Sequence, residues 1–443
     1  MASNEDLLQL LQSFFKIHGT RRTYWIAFSG GLDSTVLLTL CHAIWQTIPL
    51  SLKVIHIDHS VHPQSHVWAK TCRLMCQSLQ LPCLVEKVTM TPKTNESLEA
   101  VLRQARYAIF QSLIHQGDML LTAHHANDQA ETLLLQLFRG CGPKGLSSMP
   151  IVKSLGQGFL GRPLLSVERR VLAQYARVHQ LTWIEDESNY NMQWMRNYIR
   201  HDVMPYLQRR IPALTQILSR TASHCAESQI LLEEFSSTML KDLSDSKDKT
   251  LSISRLLTLN ERLQRLALRT WIHHLGFPLP DTKKLNRILD TVLLAKKDRM
   301  PHVSWGKCVI RRFRDDLYLL PHPPTHHRLC QVNWDCRVPL LLEGIGLLSV
   351  QSHLGKGLRE EIDRVTVRFR QGGERLALHS KQRQTLKNLF QAWQVPTWER
   401  DRIPLLFKDD ECIGVVGYAI AQPYKALPNE VGCEPVIEKA IPA

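Results

Sequence analysis

The stretch Trp25-Ile-Ala-Phe-Ser29-Gly30-Gly31-Leu32-Asp33-Ser34-Thr35-Val36-Leu37-Leu38 leaves the chain few ways to fold. An apolar run stops at two adjacent glycines and resumes with helical spacing, which reads as a buried strand turning tightly into a helix. Gly30 and Gly31 are expected to take unusual φ values and to let backbone approach a ligand with no Cβ in the way. The loop N–H groups and the helix N-terminus together form a site for an oxyanion such as phosphate. Ser29 and Ser34 add hydroxyls, and Asp33 suits either the first helical turn or a Mg²⁺ ion. The spacing is neither that of a Walker loop nor G-x-G-x-x-G.

The same rhythm continues downstream. Strands are expected near Lys53–Asp58, Cys83–Val88 and Met119–Ala123, separated by helices over Trp68–Leu79 and Leu98–His115, the latter capped by Thr94 or Asn95. Alternating strands and helices imply a parallel sheet covered on both faces, with ligands at the carboxyl ends of its strands. Ser29, Asp58 and His124 should therefore meet on one rim, with His56 and His59 close by. Gly140–Gly161 is a Gly-rich segment, and Pro212 to about Leu243 reads as one long helix. Ser244–Lys249 has the polarity of a solvated connection.

At 443 residues the chain should hold two or three domains. The boundaries expected are 1–215 for a catalytic domain, 216–249 for the long helix and linker, 250–325 for a middle domain and 335–443 for a basic C-terminal one. Lys and Arg number 55 against 41 Asp and Glu, a net charge of +14 that attracts polyanions, nucleic acid first among them. Eleven cysteines contain no C-x-x-C pair, which argues against a structural zinc or iron–sulfur site and for a reducing compartment. No apolar stretch is long enough to span a membrane and the N-terminus lacks a signal-peptide pattern, so a cytoplasmic location is expected.

The second constellation is His124-His125-Ala-Asn127-Asp128-Gln129-Ala-Glu131-Thr132, beginning where the fourth strand ends. Asp128 and Glu131 lie three apart on a helix and share a face. With the Ser29–Ser34 loop, this segment resembles the tRNA(Ile)-lysidine synthetases, enzymes of the N-type ATP pyrophosphatase (PP-loop) superfamily. So do Glu99-Ala-x-x-Arg103-x-x-Arg106-Tyr107, Arg162-Pro-Leu-Leu165, Asp186-Glu-Ser188-Asn189 and Arg196-Asn197-x-x-Arg200. Near the end, Arg368-Phe-Arg370-x-Gly372-Gly373-Glu374-Arg375, Leu386-Lys387 and Arg400-x-Arg402-Ile-Pro404 complete the pattern in the family's order. One position departs: Asn127 stands where the family has the first aspartate of a pair, keeping a carbonyl ligand but losing a charge.

The resemblance implies an α/β fold, a Rossmann-like PP-loop domain followed by smaller α+β domains that grip tRNA. It implies that ATP and Mg²⁺ are used to adenylate the first anticodon cytidine of a tRNA(Ile) bearing a CAU anticodon, after which free L-lysine displaces AMP and makes lysidine. Ser29, Gly30, Gly31, Leu32, Asp33, Ser34 and His56 would hold ATP, with Asp33 also the metal ligand. Asp33, Arg103, Asp128 and Glu131 would be catalytic, one of the two helical carboxylates accepting the lysine proton. Arg196, Arg200, Arg368, Arg370, Arg375 and Lys387 would contact tRNA, phosphate more than base edges. Between Arg364 and Arg402 the basic residues, Lys381 and Arg383 among them, flank Trp393 and Trp398, placed for base stacking or for core packing. Alternation over Arg311–Arg314 would bury one face of that basic run. The rival readings are a tRNA thiolase, which the absence of C-x-x-C disfavours, and an RNA-binding relative without activity, to which Asn127 is the pointer. Oligomeric state is not legible.

Overall fold

The computed structural model describes residues 4–58, 60, 63–88, 98–186, 191–245, 249–296, 299–322, 324, 326, 329–379 and 382–438. His59, Thr94, Asn95, Ser188, Asn189, His327, Lys381 and the side chain of Glu99 lie outside the described residues. The chain divides into two compact units, one ending at Phe235 and one beginning at Ser236.

The first unit opens with α1 (Asn4–His18), β1 (Thr23–Ala27), α2 (Leu32–Trp45), β2 (Ser51–Asp58), α3 (Ser65–Ser78) and β3 (Cys83–Lys87). It continues with α4 (Leu98–Leu113), β4 (Met119–Leu121), α5 (Ala126–Phe138), α6 (Pro143–Leu146), β5 (Val152–Leu155), β6 (Gly158–Gly161) and α7 (Arg169–Val178). The six strands form one sheet in the order β3-β2-β1-β4-β6-β5, parallel except for the β5–β6 hairpin. Strand order reverses between β1 and β4, which places a crevice beyond the carboxyl ends of those two strands. The segments Ser29–Ser34 and His124–Glu131 both begin at that crevice.

Two cores flank the sheet. Leu7, Leu11 and Phe15 of α1 pack with Val36, Leu37 and Leu40 of α2, Cys72 and Cys76 of α3 and Tyr175 of α7. On the other face Phe110 and Ile114 of α4 cover Ile55, Leu120 and Leu160. A third cluster joins Ala130 and Leu134 of α5 to Ile199, Met204 and Leu214. Those last residues lie on α8 (Met195–Tyr198), a π-helical stretch Ile199–Val203, α9 (Met204–Gln208) and the long α10 (Leu214–Leu243). Pro205 has no N–H to offer the carbonyl four residues back, which accounts for the widened turn before it.

The Gly-rich segment Gly140–Gly161 contains α6 and the β5–β6 hairpin, and several of its glycines serve close packing. A Cβ at Gly158 would lie 2.5 Å from the Asp118 carbonyl oxygen, and one at Gly161 2.8 Å from the Phe14 ring. Composition reads such glycines as loop when they are places where strands touch neighbours.

The second unit begins with β7 (Ser244–Asp245), β8 (Thr250–Ser252), α11 (Ile253–Leu257), α12 (Glu261–His274) and α13 (Thr282–Arg287), whose last turn widens into a π-helical Ile288–Leu293. With β9 (His302–Trp305), β10 (Cys308–Phe313) and β11 (Asp316–Pro321) it forms an antiparallel sheet in the order β7-β8-β11-β10-β9. Ser244 and Asp245, expected as solvated linker, instead form the edge strand β7, paired with Leu251 and Thr250. β10 is buried at every position but Arg311 rather than alternating, and its buried Arg312 donates to the carbonyls of Leu293 and Ala295 at the end of that widened helix.

Beyond it, β12 (Gln331–Asp335), β13 (Leu340–Leu342), β14 (Gly346–Leu354), β15 (Leu358–Arg359), β16 (Arg364–Arg368), β17 (Arg375–His379) and β18 (Gln382–Thr385) are followed by α14 (Leu386–Ala392) and α15 (Thr397–Arg400). The last strands are β19 (Leu405–Lys408), β20 (Glu411–Val415), β21 (Ala419–Ile420) and β22 (Val431–Glu438). They build two antiparallel sheets, β12-β16-β19-β20-β21 and β13-β14-β22-β15, and a β17–β18 hairpin. No helix among the described residues is long and apolar enough to cross a membrane.

Because backbone oxygens cannot move away from a Cβ at position 158, Gly158→Ala should destabilise the first unit by about 1–3 kcal/mol. Urea unfolding followed by circular dichroism measures this, and a variant with the wild-type midpoint would show that the hairpin tolerates the added atom.

Candidate active site

The loop after β1 is built around one residue. Gly30 has φ +83, and a Cβ there would stand 2.6 Å from Ile184 Cδ1 and 2.8 Å from Cys72 Sγ. Only glycine satisfies both restrictions. Its carbonyl accepts the Ile184 N–H at 2.9 Å, tying the loop to the segment before Asp186. Gly31 differs from expectation: its φ is −74, and a Cβ would meet nothing closer than Ser29 Oγ at 3.5 Å. Neither backbone angle nor protein packing demands glycine at 31, so a requirement there comes from whatever approaches the loop.

Gly31 caps α2 without a side-chain hydrogen bond, so the first-turn N–H groups are not satisfied by a capping side chain. Ser34 Oγ donates to the Gly31 carbonyl at 2.9 Å and lies 3.0 Å from Ser29 Oγ. The hydroxyls thus rigidify the turn, and the helix N-terminus, headed by Leu32, presents the positive end of its dipole to the crevice. His56, on β2, is buried with Nδ1 2.9 Å from the Phe28 carbonyl oxygen; burial lowers its pKa. Asp58 Oδ1 accepts the Ser60 N–H at 2.7 Å.

From β4 comes the other wall. His125 caps α5: its backbone N–H donates to Asp128 Oδ2 at 3.1 Å, and the Asp128 N–H reaches back to His125 Nδ1 at 3.4 Å. His125 Nε2 lies 3.4 Å from Asp128 Oδ2 and 3.6 Å from Asp33 Oδ2. One imidazole therefore joins the phosphate-type loop to the helix that carries the carboxylates. Burial alone would lower the pKa of His125, but the surrounding charges of Asp128, Asp33 and Glu131 raise it. Burial would likewise raise that of Asp128, yet His125, Arg196 and Arg200 hold it well below the usual carboxylate range. His124 takes the opposite course: with Nδ1 2.8 Å from Thr122 Oγ1, it is pushed down to about 3 by burial, against the pull of Asp128.

Asp128 and Glu131 are 8% and 2% exposed. Two guanidiniums neutralise them. Arg196 donates from Nε to Glu131 Oε2 (2.9 Å) and from Nη2 to Asp128 Oδ1 (2.8 Å). Arg200 donates from Nε to Glu131 Oε1 (2.7 Å) and from Nη2 to Glu131 Oε2 (2.9 Å) and Asp128 Oδ1 (3.0 Å). These two arginines, read from sequence as tRNA contacts, are engaged with the carboxylates. Asn127 Oδ1 accepts the Arg169 N–H at 3.0 Å, a bond needing only a carbonyl, so at this contact the loss of charge is immaterial.

A cleft of about 610 Å³ opens between the walls, lined among others by Ser29, Asp33, His56, Arg103, His124 and Trp194. Arg103, on α4, is exposed and lies 5.1 Å over the Tyr107 ring. Asp33 Oδ1 is buried and accepts no hydrogen bond among the described residues; Arg169 Nε lies 3.7 Å from it. Among the described residues no group of three His, Cys, Asp or Glu is placed to hold a metal.

The remaining candidates lie in the second unit. Arg368 pairs with Asp410 at 2.7 Å and stacks 4.8 Å over Phe407, while Arg370 Nη1 is 3.6 Å from Asp401 Oδ1. Arg375 and Lys387 are exposed. Trp393 stacks on Tyr418 and Trp398 packs edge-on against Tyr318, so both indoles serve packing. Sequence reasoning passed over His125, Arg169 and Ile184. His125 had a signal in plain view, since a residue between a strand end and Ala-Asn-Asp sits where a helix cap must be; Ile184 had none.

Arg200→Gln should cost about 3 kcal/mol, the lower end for breaking a buried ion pair because its side chain is 28% exposed. Adding Glu131→Gln should recover part of that loss, and a double-mutant cycle with no coupling would refute the pairing. Because the unfolded chain protonates His124 near pH 6.5 and the folded one only near 3, this group's contribution to stability is full above pH 6.5 and falls as pH drops. Thermal denaturation of metal-free His124→Asn should therefore depend less steeply on pH across that window.

Residues 2–207 match the family model of the PP-loop domain, residues 251–318 that of the TilS substrate binding domain and residues 365–437 that of the TilS substrate C-terminal domain. A tRNA(Ile)-lysidine synthase of Coxiella burnetii is 42% identical over 426 residues, covering 95% of this chain and 94% of that protein. One of Legionella pneumophila is 39% identical over 403 residues (89% and 91%), and one of Serratia proteamaculans 37% over 407 (91% and 93%). With a β1–α2 loop made for an oxyanion and relatives matched nearly end to end, the chain belongs to the tRNA(Ile)-lysidine synthase family.

Proposed function

We infer that this protein ligates free L-lysine to C2 of the cytidine at the first anticodon position of a tRNA(Ile) with a CAU anticodon, consuming ATP. The observation that carries the reading is the adjacency of two sites: His125 stands 3.6 Å from Asp33 of the phosphate-type loop and 3.4 Å from Asp128 of the carboxylate pair. A nucleotide and an amine would thereby be served from neighbouring sites joined by His125. The thiolase reading is not favoured.

The chemistry needs two steps. The C2 oxygen of cytosine is a poor leaving group, so it first attacks the α-phosphate of ATP, expelling pyrophosphate. The lysine ε-amine then attacks C2, AMP departs, and the amine's proton must be taken up. The uncapped N–H groups of α2 and the loop from Ser29 to Ser34 suit the β- and γ-phosphates, and His56 with Leu32 would border the nucleotide. Arg103, on the cleft wall, is placed to offset charge at the α-phosphate.

Mg²⁺ fits Asp33, whose buried Oδ1 accepts no hydrogen bond among the described residues; this ion is commonly held by one or two carboxylates plus substrate phosphates. When bound it would offset phosphate charge. Asp128 and Glu131 would fix the lysine ammonium and accept its proton. A carboxylate held far below its usual pKa is a weak base, so Asp128 suits the anchoring role. An incoming ammonium competes there with Arg196 and Arg200 for the same oxygens.

We assign 1–215 to catalysis, 216–249 to a connecting helix and linker, and 250–325 and 335–443 to tRNA binding, with Arg368, Arg370, Arg375 and Lys387 as phosphate contacts. A tRNA substrate places the work in the cytoplasm. Incubation with ATP, lysine and tRNA transcript, followed by mass spectrometry of the anticodon nucleoside, tests the reading: lysidine is expected, and unmodified cytidine would refute it. Asp33→Ala should lower tRNA-dependent pyrophosphate release by about 100-fold or more while leaving tRNA affinity within about twofold.

A further inference from the structure

Tyr107 lies one turn beyond Arg103 on α4, at the i, i+4 spacing that brings two side chains onto one helix face. Both residues line the cleft of the first unit. The tyrosine ring is anchored from the sheet side. It packs against the apolar cluster of Ile55, Phe110, Leu120 and Leu160, and meets the Phe110 ring edge-on at 5.9 Å. The Arg103 guanidinium stands 5.1 Å from the ring centroid. Lys153, on β5, brings its ammonium to 5.3 Å from the same centroid. Two cations gather at one ring although they repel each other, as the negative π face of an aromatic ring allows.

An exposed arginine has a long side chain free to sample many rotamers, whereas a charge that stabilises a transition state must be in place beforehand. Arg103 is exposed, so burial does not fix its head. A rigid aromatic face one turn away does. We propose that Tyr107 is a positioning residue for the reaction, its ring holding the Arg103 guanidinium at the cleft wall where the α-phosphate is attacked. Tyr107 supplies neither charge nor proton to the chemistry and acts through Arg103. The inference rests on the role that the lysidine-forming reading gives to Arg103.

The test uses the full chain with Tyr107→Phe, Tyr107→Leu, Arg103→Gln and the double variant Tyr107→Leu/Arg103→Gln. Pyrophosphate release in the presence of tRNA gives kcat and the KM for ATP, and calorimetry gives the Kd for ATP. Tyr107→Phe keeps the π face and should stay within about threefold of the wild-type kcat. Tyr107→Leu should lower kcat by about 10-fold, with a smaller change in KM. In the Arg103→Gln background the same change should have little further effect, since no guanidinium is left to position. An equal loss in both backgrounds, or a wild-type kcat in Tyr107→Leu, would overturn the inference. Pentafluorophenylalanine at position 107 keeps the shape of the ring and removes its negative face, which covers the case of a Tyr107→Leu chain that does not fold. It should lose as much kcat as Tyr107→Leu, and a rate equal to that of Tyr107→Phe would also overturn the inference. If the wild type released no pyrophosphate, the lysidine reading would fall, and the Kd for ATP in the same proteins would decide this one. Affinity weakened by loss of the π face only where Arg103 is present upholds the positioning, and affinity unchanged or weakened equally in both backgrounds ends it.

Discussion

Two carboxylates buried on one face of a helix are the constraint around which the first unit is arranged. Asp128 and Glu131 would be untenable as charges in that position without compensation, because burial strips away the water that stabilises them. The chain meets the demand from far along its length, returning through α8 and the widened turn after it to set Arg196 and Arg200 against α5. Ile199, fully buried between the two arginines, anchors that return to Ala130 and Leu134. The packing of apolar groups and the pairing of charges thus fix the same geometry, both against the one returning segment.

His125 extends the arrangement to the phosphate-type loop. It caps α5, faces Asp128 and reaches Asp33, so two signatures far apart in sequence meet at one imidazole. The crevice exists because strand order reverses between β1 and β4, and the loop at its edge keeps its shape through Gly30, wedged against Ile184 and Cys72. His124 and His125, neighbours in sequence, are driven in opposite directions, one by burial and the other by the acids around it.

The basic character of the protein has several distinct uses. Arg162 and Arg312 are interior residues that donate to backbone carbonyls, and Arg196 and Arg200 neutralise acids. Arg375 and Lys387 remain on the surface. A net charge of +14 therefore overstates the field offered to a polyanion.

Sequence alone determined the doubly wound character of the first unit, the place of the phosphate-type loop and the helix bearing Asp128 and Glu131. These are local properties: apolar period, glycine punctuation and strand–helix alternation act over neighbouring residues. Val36, Leu37 and Leu38, the apolar residues that resume after the loop, are buried for the same reason. Tertiary structure decided what the polar residues do, because partners such as Arg196 and Glu131 lie 65 positions apart and no local pattern joins them. It decided too that Gly158 and Gly161 belong to a packed hairpin, that Ser244 and Asp245 form an edge strand, and that Gly31 owes nothing to backbone strain. Each of those outcomes depends on which atoms stand opposite in space, and that is settled only when the whole chain has folded.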